Sequence, residues 1–220
     1  MKHVVLRLAV LAALAAPFAA HAESQPKHAV KTPSSAPVEQ PDPGEAVDKA
    51  SEWLNSAKSM IADFVQIGQD GRRAEGKLYV ARPGRLRFEY AQPATMEIVA
   101  DGTSVVVKDR KLHTQDEYFI KQTPLKFLLK DEIDLRRDVK LLGVKGEKKG
   151  VVIAIEDKAT FGGTSRIKLI FDPKTYALKQ WQVTDPQGYE TMVSLYNIDL
   201  SRRPDNSLFK INHERMLNPN

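Results

Sequence analysis

Residues 76–90 read Gly76-Lys77-Leu78-Tyr79-Val80-Ala81-Arg82-Pro83-Gly84-Arg85-Leu86-Arg87-Phe88-Glu89-Tyr90. After the Arg-Pro-Gly step, Leu86, Phe88 and Tyr90 alternate with Arg85, Arg87 and Glu89. Before it, Leu78 and Val80 follow Gly76 at the same spacing. Successive side chains of a strand point to opposite faces, so a period of two marks strands with one apolar and one wet face. That pattern belongs to an antiparallel sheet, because parallel strands are covered on both faces and read as continuous apolar runs.

The same texture extends outward from this stretch. From about Met60 onward, short segments rich in Val, Ile, Phe and Tyr are separated by Gly, Pro and Asp; Ile167, Leu169 and Phe171 around Lys168 repeat the alternation. Asp101-Gly102, Asp109-Arg110-Lys111, Asp172-Pro173 and Asp185-Pro186-Gln187-Gly188 stand where hairpin loops belong, so a meander is expected. Between the sixth and seventh strands, Thr123-Pro124-Leu125-Lys126-Phe127-Leu128-Leu129-Lys130 predicts a cap, a Pro at the first helical position and a short apolar helix lying on the sheet. Strands resume near Val139. Ahead of the sheet, Ala46, Val47, Ala50, Trp53, Leu54 and Ala57 recur at helical spacing and predict a helix from about Glu45.

Residues 23–44 are rich in Pro, Ser, Lys and Gln, with too few large apolar side chains to offset the entropy of ordering, and read as a disordered leader. Before them, Lys2, His3 and Arg7, the apolar run Leu8 to Ala16 and Ala20-His21-Ala22 form the three-part pattern of a secretory signal, with cleavage expected after Ala22. The folded domain is then 45–220, and export to a Gram-negative periplasm is expected. The chain has no cysteine, hence no disulfide, thiol chemistry or site for a lipid anchor. Its 33 Lys and Arg against 28 Asp and Glu give +5, and loss of Lys2 and Arg7 with the signal leaves +3. The charges are interspersed, as in Lys130-Asp131-Glu132, rather than gathered in a basic stripe, so nucleic acid is not an expected partner.

Catalytic signatures are missing. No GxSxG, HExxH, Walker or GxGxxG pattern occurs, and Gly162-Gly163 reads as a turn. Of the five histidines, His3 and His21 fall in the signal and His28 in the leader, leaving His113 and His213, too few for a histidine metal site. Asp63, Asp101, Asp131, Glu132 and Asp134 fall in turns or on wet faces. No enzyme, metal or cofactor is expected. What remains is an apolar sheet face under helical cover, and the space between them.

The order of landmarks from Asp63 onward resembles the LolA family of periplasmic outer-membrane lipoprotein carriers. Phe64-x-Gln66 is followed by Gly71, Gly76, the strand Lys77-Leu78-Tyr79-Val80 and then Arg82-Pro83-Gly84-Arg85-Leu86-Arg87-Phe88-Glu89-Tyr90. Pro93, Met96 to Val99, Asp101-Gly102 and Thr123-Pro124-Leu125 complete the series. The resemblance implies an α+β, mainly β fold: a curved, unclosed antiparallel half-barrel of about eleven strands, with a helical lid over its concave apolar face. It implies lipoprotein cargo, delivery from an inner-membrane lipoprotein-releasing ABC transporter, an outer-membrane acceptor, and a monomer.

The Arg of the family's Arg-Pro motif, which locks the lid through its backbone, matches Arg82, expected to be exposed at the cavity mouth. Lid candidates are Leu125, Phe127, Leu128, Leu129, Trp53 and Leu54. Candidates for the acyl-chain cavity are Leu78, Val80, Leu86, Phe88, Tyr90, Ile98, Val105, Val107, Ile153, Ile155, Ile167, Leu169, Phe171 and Trp181. The same face would also suit a carrier of another lipid or glycolipid, or an envelope-stress sensing domain binding a protein partner. A sensor is expected to carry a membrane anchor or second domain, and neither is legible.

Overall fold

The structure, a computed structural model, describes residues 40–211 apart from Leu125 and Phe161. The signal segment, the leader up to residue 39 and the lid candidate Leu125 lie outside the described residues. Helix α1 spans Pro43–Ser56. It starts at Pro43 rather than Glu45, because Asp42 accepts the Glu45 N–H at 2.8 Å as N-cap and proline suits the first turn.

Eleven strands follow among the described residues: β1 Ser59–Gly68, β2 Arg73–Ala81, β3 Arg85–Tyr90, β4 Met96–Asp101, β5 Ser104–Asp109, β6 Thr114–Phe119, β7 Lys140–Glu147, β8 Gly150–Thr160, β9 Gly163–Phe171, β10 Leu178–Thr184 and β11 Glu190–Asp199. They form one antiparallel sheet in the order β6-β5-β4-β3-β2-β1-β11-β10-β9-β8-β7. The expected meander is corrected at one point, since β1 pairs with β11 as well as β2, and at the expected break the chain passes between opposite edges of the sheet, β6 and β7. The chain between them contains Pro124 and no tight hairpin turn, so it crosses from one edge to the other instead of reversing on itself.

The sheet is strongly curled. Trp181 on β10 and Phe88 on β3 are four ladder steps apart, about 19 Å on a flat sheet at ~4.8 Å per strand, yet their ring centroids are 6.4 Å apart. Phe64 meets Phe88 and Tyr90 edge-on at 5.0 Å each, which fills the inside of the curl. The edges do not meet, so the half-barrel is unclosed.

The segment from β6 to β7 covers the inner face, and it differs from the expected apolar helix. It consists of 3-10 turns at Ile120–Gln122 and Lys126–Leu129, then one helical turn, α2, Leu135–Asp138. Lys126 N–H bonds Thr123 O and Lys130 N–H bonds Phe127 O, each three residues back; so short a run cannot recover the cost of nucleating an α-helix. The outer face is also not uniformly wet. Val99 and Val106 are buried there, in the region where the C-terminal 3-10 turn Asn206–Phe209 packs. Arg85 stacks over the Phe209 ring at 5.8 Å and Arg87 donates to Leu208 O at 3.3 Å.

Gly76 makes the tight curl of β2 against β3 possible, since a Cβ there would stand 2.0 Å from the Glu89 carbonyl oxygen. Gly76→Ala should cost at least about 3 kcal/mol through forced strand separation, whereas Gly143→Ala, with open space around it, should cost under about 1 kcal/mol. Denaturant midpoints of the two variants check this.

Candidate functional site

The β2–β3 turn, α1 and the covering segment meet at Arg82. Gly84 in this turn has φ +75°, and a Cβ would lie 2.6 Å from Gly102 Cα, so only glycine fits. Its N–H donates to Leu129 O at 2.8 Å. Beside it the Arg82 guanidinium donates through Nη1 to Lys130 O at 3.1 Å and through Nη2 to Leu54 O at the end of α1. Arg82 is therefore not exposed at a mouth, as expected from its motif, but 7% accessible. Without it the buried Leu54 carbonyl and the partly buried Lys130 carbonyl would lose this donor, which draws the guanidinium inward. Burial pulls its pKa below the ordinary value, and the Asp131 carboxylate opposes that shift. Its Nε finds no partner among the described residues, so the fit is incomplete.

A second set of polar contacts straps α1 to the segment. Asn55 donates to Ile133 O at 2.8 Å and accepts the Ile133 N–H at 2.9 Å, pairing one backbone position as a strand would. One helical turn earlier, Ser51 Oγ accepts the Leu135 N–H at 3.3 Å. Within the segment, Asp138 accepts the Asp134 N–H at 2.9 Å and the Lys130 ammonium. Burial works to raise the Asp138 pKa, but these bonds outweigh it and hold the carboxyl below 3.8.

Between this cover and the sheet lies an apolar cavity of about 50 Å³. Of the expected wall residues, Leu78, Val80, Leu86 and Trp181 line it; of the expected lid residues, Trp53, Leu54, Leu128 and Leu129 close it. Phe127 is buried but does not line it. Phe88, Tyr90, Val105, Ile153, Ile155, Ile167, Leu169 and Phe171 belong to the packed core, with Ile98 half-buried against it. Val107 is half-buried on β5, next to the β6 edge. Sequence reasoning missed Ala57, Met60, Ile133 and Leu178 as lining residues. Ile133 stands alone among Asp131, Glu132 and Asp134 and has no period to reveal it; the Ser51/Asn55 spacing on α1 was the legible sign that this helix face meets backbone.

The family model described as outer membrane lipoprotein carrier protein LolA matches residues 55–212. An outer-membrane lipoprotein carrier protein of Legionella pneumophila strain Lens is 30% identical, over 72% of this chain and 81% of its own. Its counterpart from Chromobacterium violaceum is 29% identical, over 70% and 76%. Among solved structures, a LolA superfamily protein from Nitrosomonas europaea aligns with a TM-score of 0.44 at 10% identity, covering 76% of this chain and 97% of that one.

Arg82→Leu should lower stability by about 1–3 kcal/mol by leaving the buried Leu54 carbonyl and the partly buried Lys130 carbonyl without this donor, with the increase in hydrogen exchange concentrated in residues 126–133. Arg82→Lys should recover only part, because the shorter lysine offers one nitrogen in place of the two spread nitrogens, Nη1 and Nη2, that reach the two carbonyls. Asp138 has a folded pKa below its unfolded one, so its contribution is complete above about pH 5 and is lost as pH falls through and below about 4. Exchange of the segment should accordingly be flat from pH 8 to 5 after correction for intrinsic rates, and rise below that.

Proposed function

This chain belongs to the LolA family of outer membrane lipoprotein carrier proteins, and on that premise we propose that it carries the acyl chains of lipoproteins across the periplasm. The observation that carries this reading is a curled apolar face whose cover is fastened at its rim by polar bonds to backbone, at Arg82, Gly84 and Asn55. Such bonds can be exchanged for bonds to water when the cover lifts, so lifting costs less than opening a fully apolar seam. A cavity of about 50 Å³ is far below the ~300–1,000 Å³ of sites that enclose a ligand. The state described is closed, and cargo enters by displacing the segment.

The energetics of transit fit this reading. A triacyl anchor has on the order of forty methylenes, each costing ~0.8 kcal/mol in water, so it needs shelter throughout. Release without a chemical energy source requires a closed empty state that competes with cargo, and repacking of Leu128, Leu129 and Trp53 onto the sheet supplies it. The protein acts without catalysis or cofactor. It receives cargo from an inner-membrane lipoprotein-releasing ABC transporter and passes it to an outer-membrane acceptor.

The two tryptophans of the chain, Trp53 and Trp181, both line the cavity. Titration with a synthetic triacylated lipopeptide should therefore change the intrinsic fluorescence saturably, and native mass spectrometry of the protein taken from the periplasm should find bound acylated lipoproteins. Free phospholipid or glycolipid in place of lipoprotein would redirect the reading to another lipid cargo. No fluorescence change and no bound species would overturn it.

A further inference from the structure

The row Val151, Ile153, Ile155 of β8 lies on the inner face, and its next member is an acid, Asp157. On β9 the facing row Phe171, Leu169, Ile167 ends in Ser165, which pairs with Asp157 and is completely buried. The apolar wall thus ends in a polar pair at the point where alternation calls for two more apolar residues. Lys126, from the covering segment, reaches this end of the wall. Its Nζ lies 2.8 Å from Asp157 Oδ1 and 2.7 Å from Oδ2, with the carboxylate 9% accessible and the lysine side chain 23%.

We propose that Lys126 and Asp157 form a second latch, which together with Arg82 sets how readily the covering segment lifts. Arg82 holds the segment at Lys130 and α1, and the ion pair holds it at Lys126 against β8, so the apolar stretch Phe127-Leu128-Leu129 is fastened at both ends. Two charges brought together out of water gain little net stability over two hydrated ones, because desolvation offsets most of the attraction. Losing one partner is a different matter: the survivor then lacks this counter-charge in the closed state and is hydrated in the open one, which favours opening. An ion pair at the rim of an apolar seam therefore specifies where the segment closes without making closure hard to reverse. Lys126 and Asp157 are positioning residues of the carrier reading proposed above, on which this inference rests.

The test is a cycle of Lys126→Met, Asp157→Asn and the double variant, read by hydrogen–deuterium exchange of the cargo-free protein. Each single variant should raise exchange at residues 126–133 roughly tenfold or more, with β1, β9 and β11 unchanged. The double variant, which removes both charges of the pair, should fall back toward the unmodified protein, and Lys126→Arg should stay close to it. Uptake of a synthetic triacylated lipopeptide, followed by tryptophan fluorescence, should speed up in the single variants in parallel. If exchange follows this pattern but no form takes up lipopeptide, the latch stands and the carrier reading fails. Unchanged exchange in the single variants, effects that simply add in the double variant, or loosening spread over the whole sheet would each overturn the latch.

Discussion

The guanidinium of Arg82 bonds two carbonyls, one 28 and one 48 residues away along the chain. Through these contacts the β2–β3 turn, the end of α1 and the covering segment become one rim. Without a covering layer, the sheet would present Leu78, Val80, Leu86 and Trp181 to water. The β6 and β7 edges do not pair, so the sheet cannot bury that face by closing. Cover must come from other parts of the chain, and those parts must be attached. Hydrogen bonds to backbone fix where the cover sits, beside the buried side chains of Phe127, Leu129, Ile133 and Leu135.

Most of the inner face is ordinary protein interior. Ile153, Ile155, Leu169 and Phe171 are completely buried and behave as a rigid wall. The cavity sits where α1, β1–β3 and β10 meet the segment, and its small size reflects how closely Leu128, Leu129 and Trp53 pack against the sheet. A close-packed wall beside a cover fastened by polar bonds at its rim suits the carrier role proposed above, which needs a wall that keeps its shape and a cover that lifts. The outer face has its own small apolar centre at Val99, Val106 and Phe209, which stiffens the sheet from behind.

Alternation in residues 76–90 was enough to place strands, faces and the tight turn, because a period of two is a local property of the backbone. Helical spacing placed α1 for the same reason. The eleven-strand order was legible only in part: neighbouring hairpins follow from short Asp- and Gly-containing loops, but the pairing of β1 with β11 brings together residues more than a hundred positions apart and leaves no local mark. Ile133 and Asp157 were invisible as members of the site for a related reason. Each is a single residue whose role depends on which backbone or charge the fold sets against it.

By itself the sequence determined the antiparallel strands, the leading helix, which face is apolar, and the family, since these follow from periodicity and from the order of short motifs along one chain. The tertiary structure alone decided that Arg82 is buried rather than exposed and that the covering segment takes 3-10 rather than α-helical form. It alone decided that the apolar wall narrows to a cavity of about 50 Å³. Those outcomes depend on which carbonyls a guanidinium can reach and how closely two layers pack, and both are distances across space that no spacing along the chain encodes.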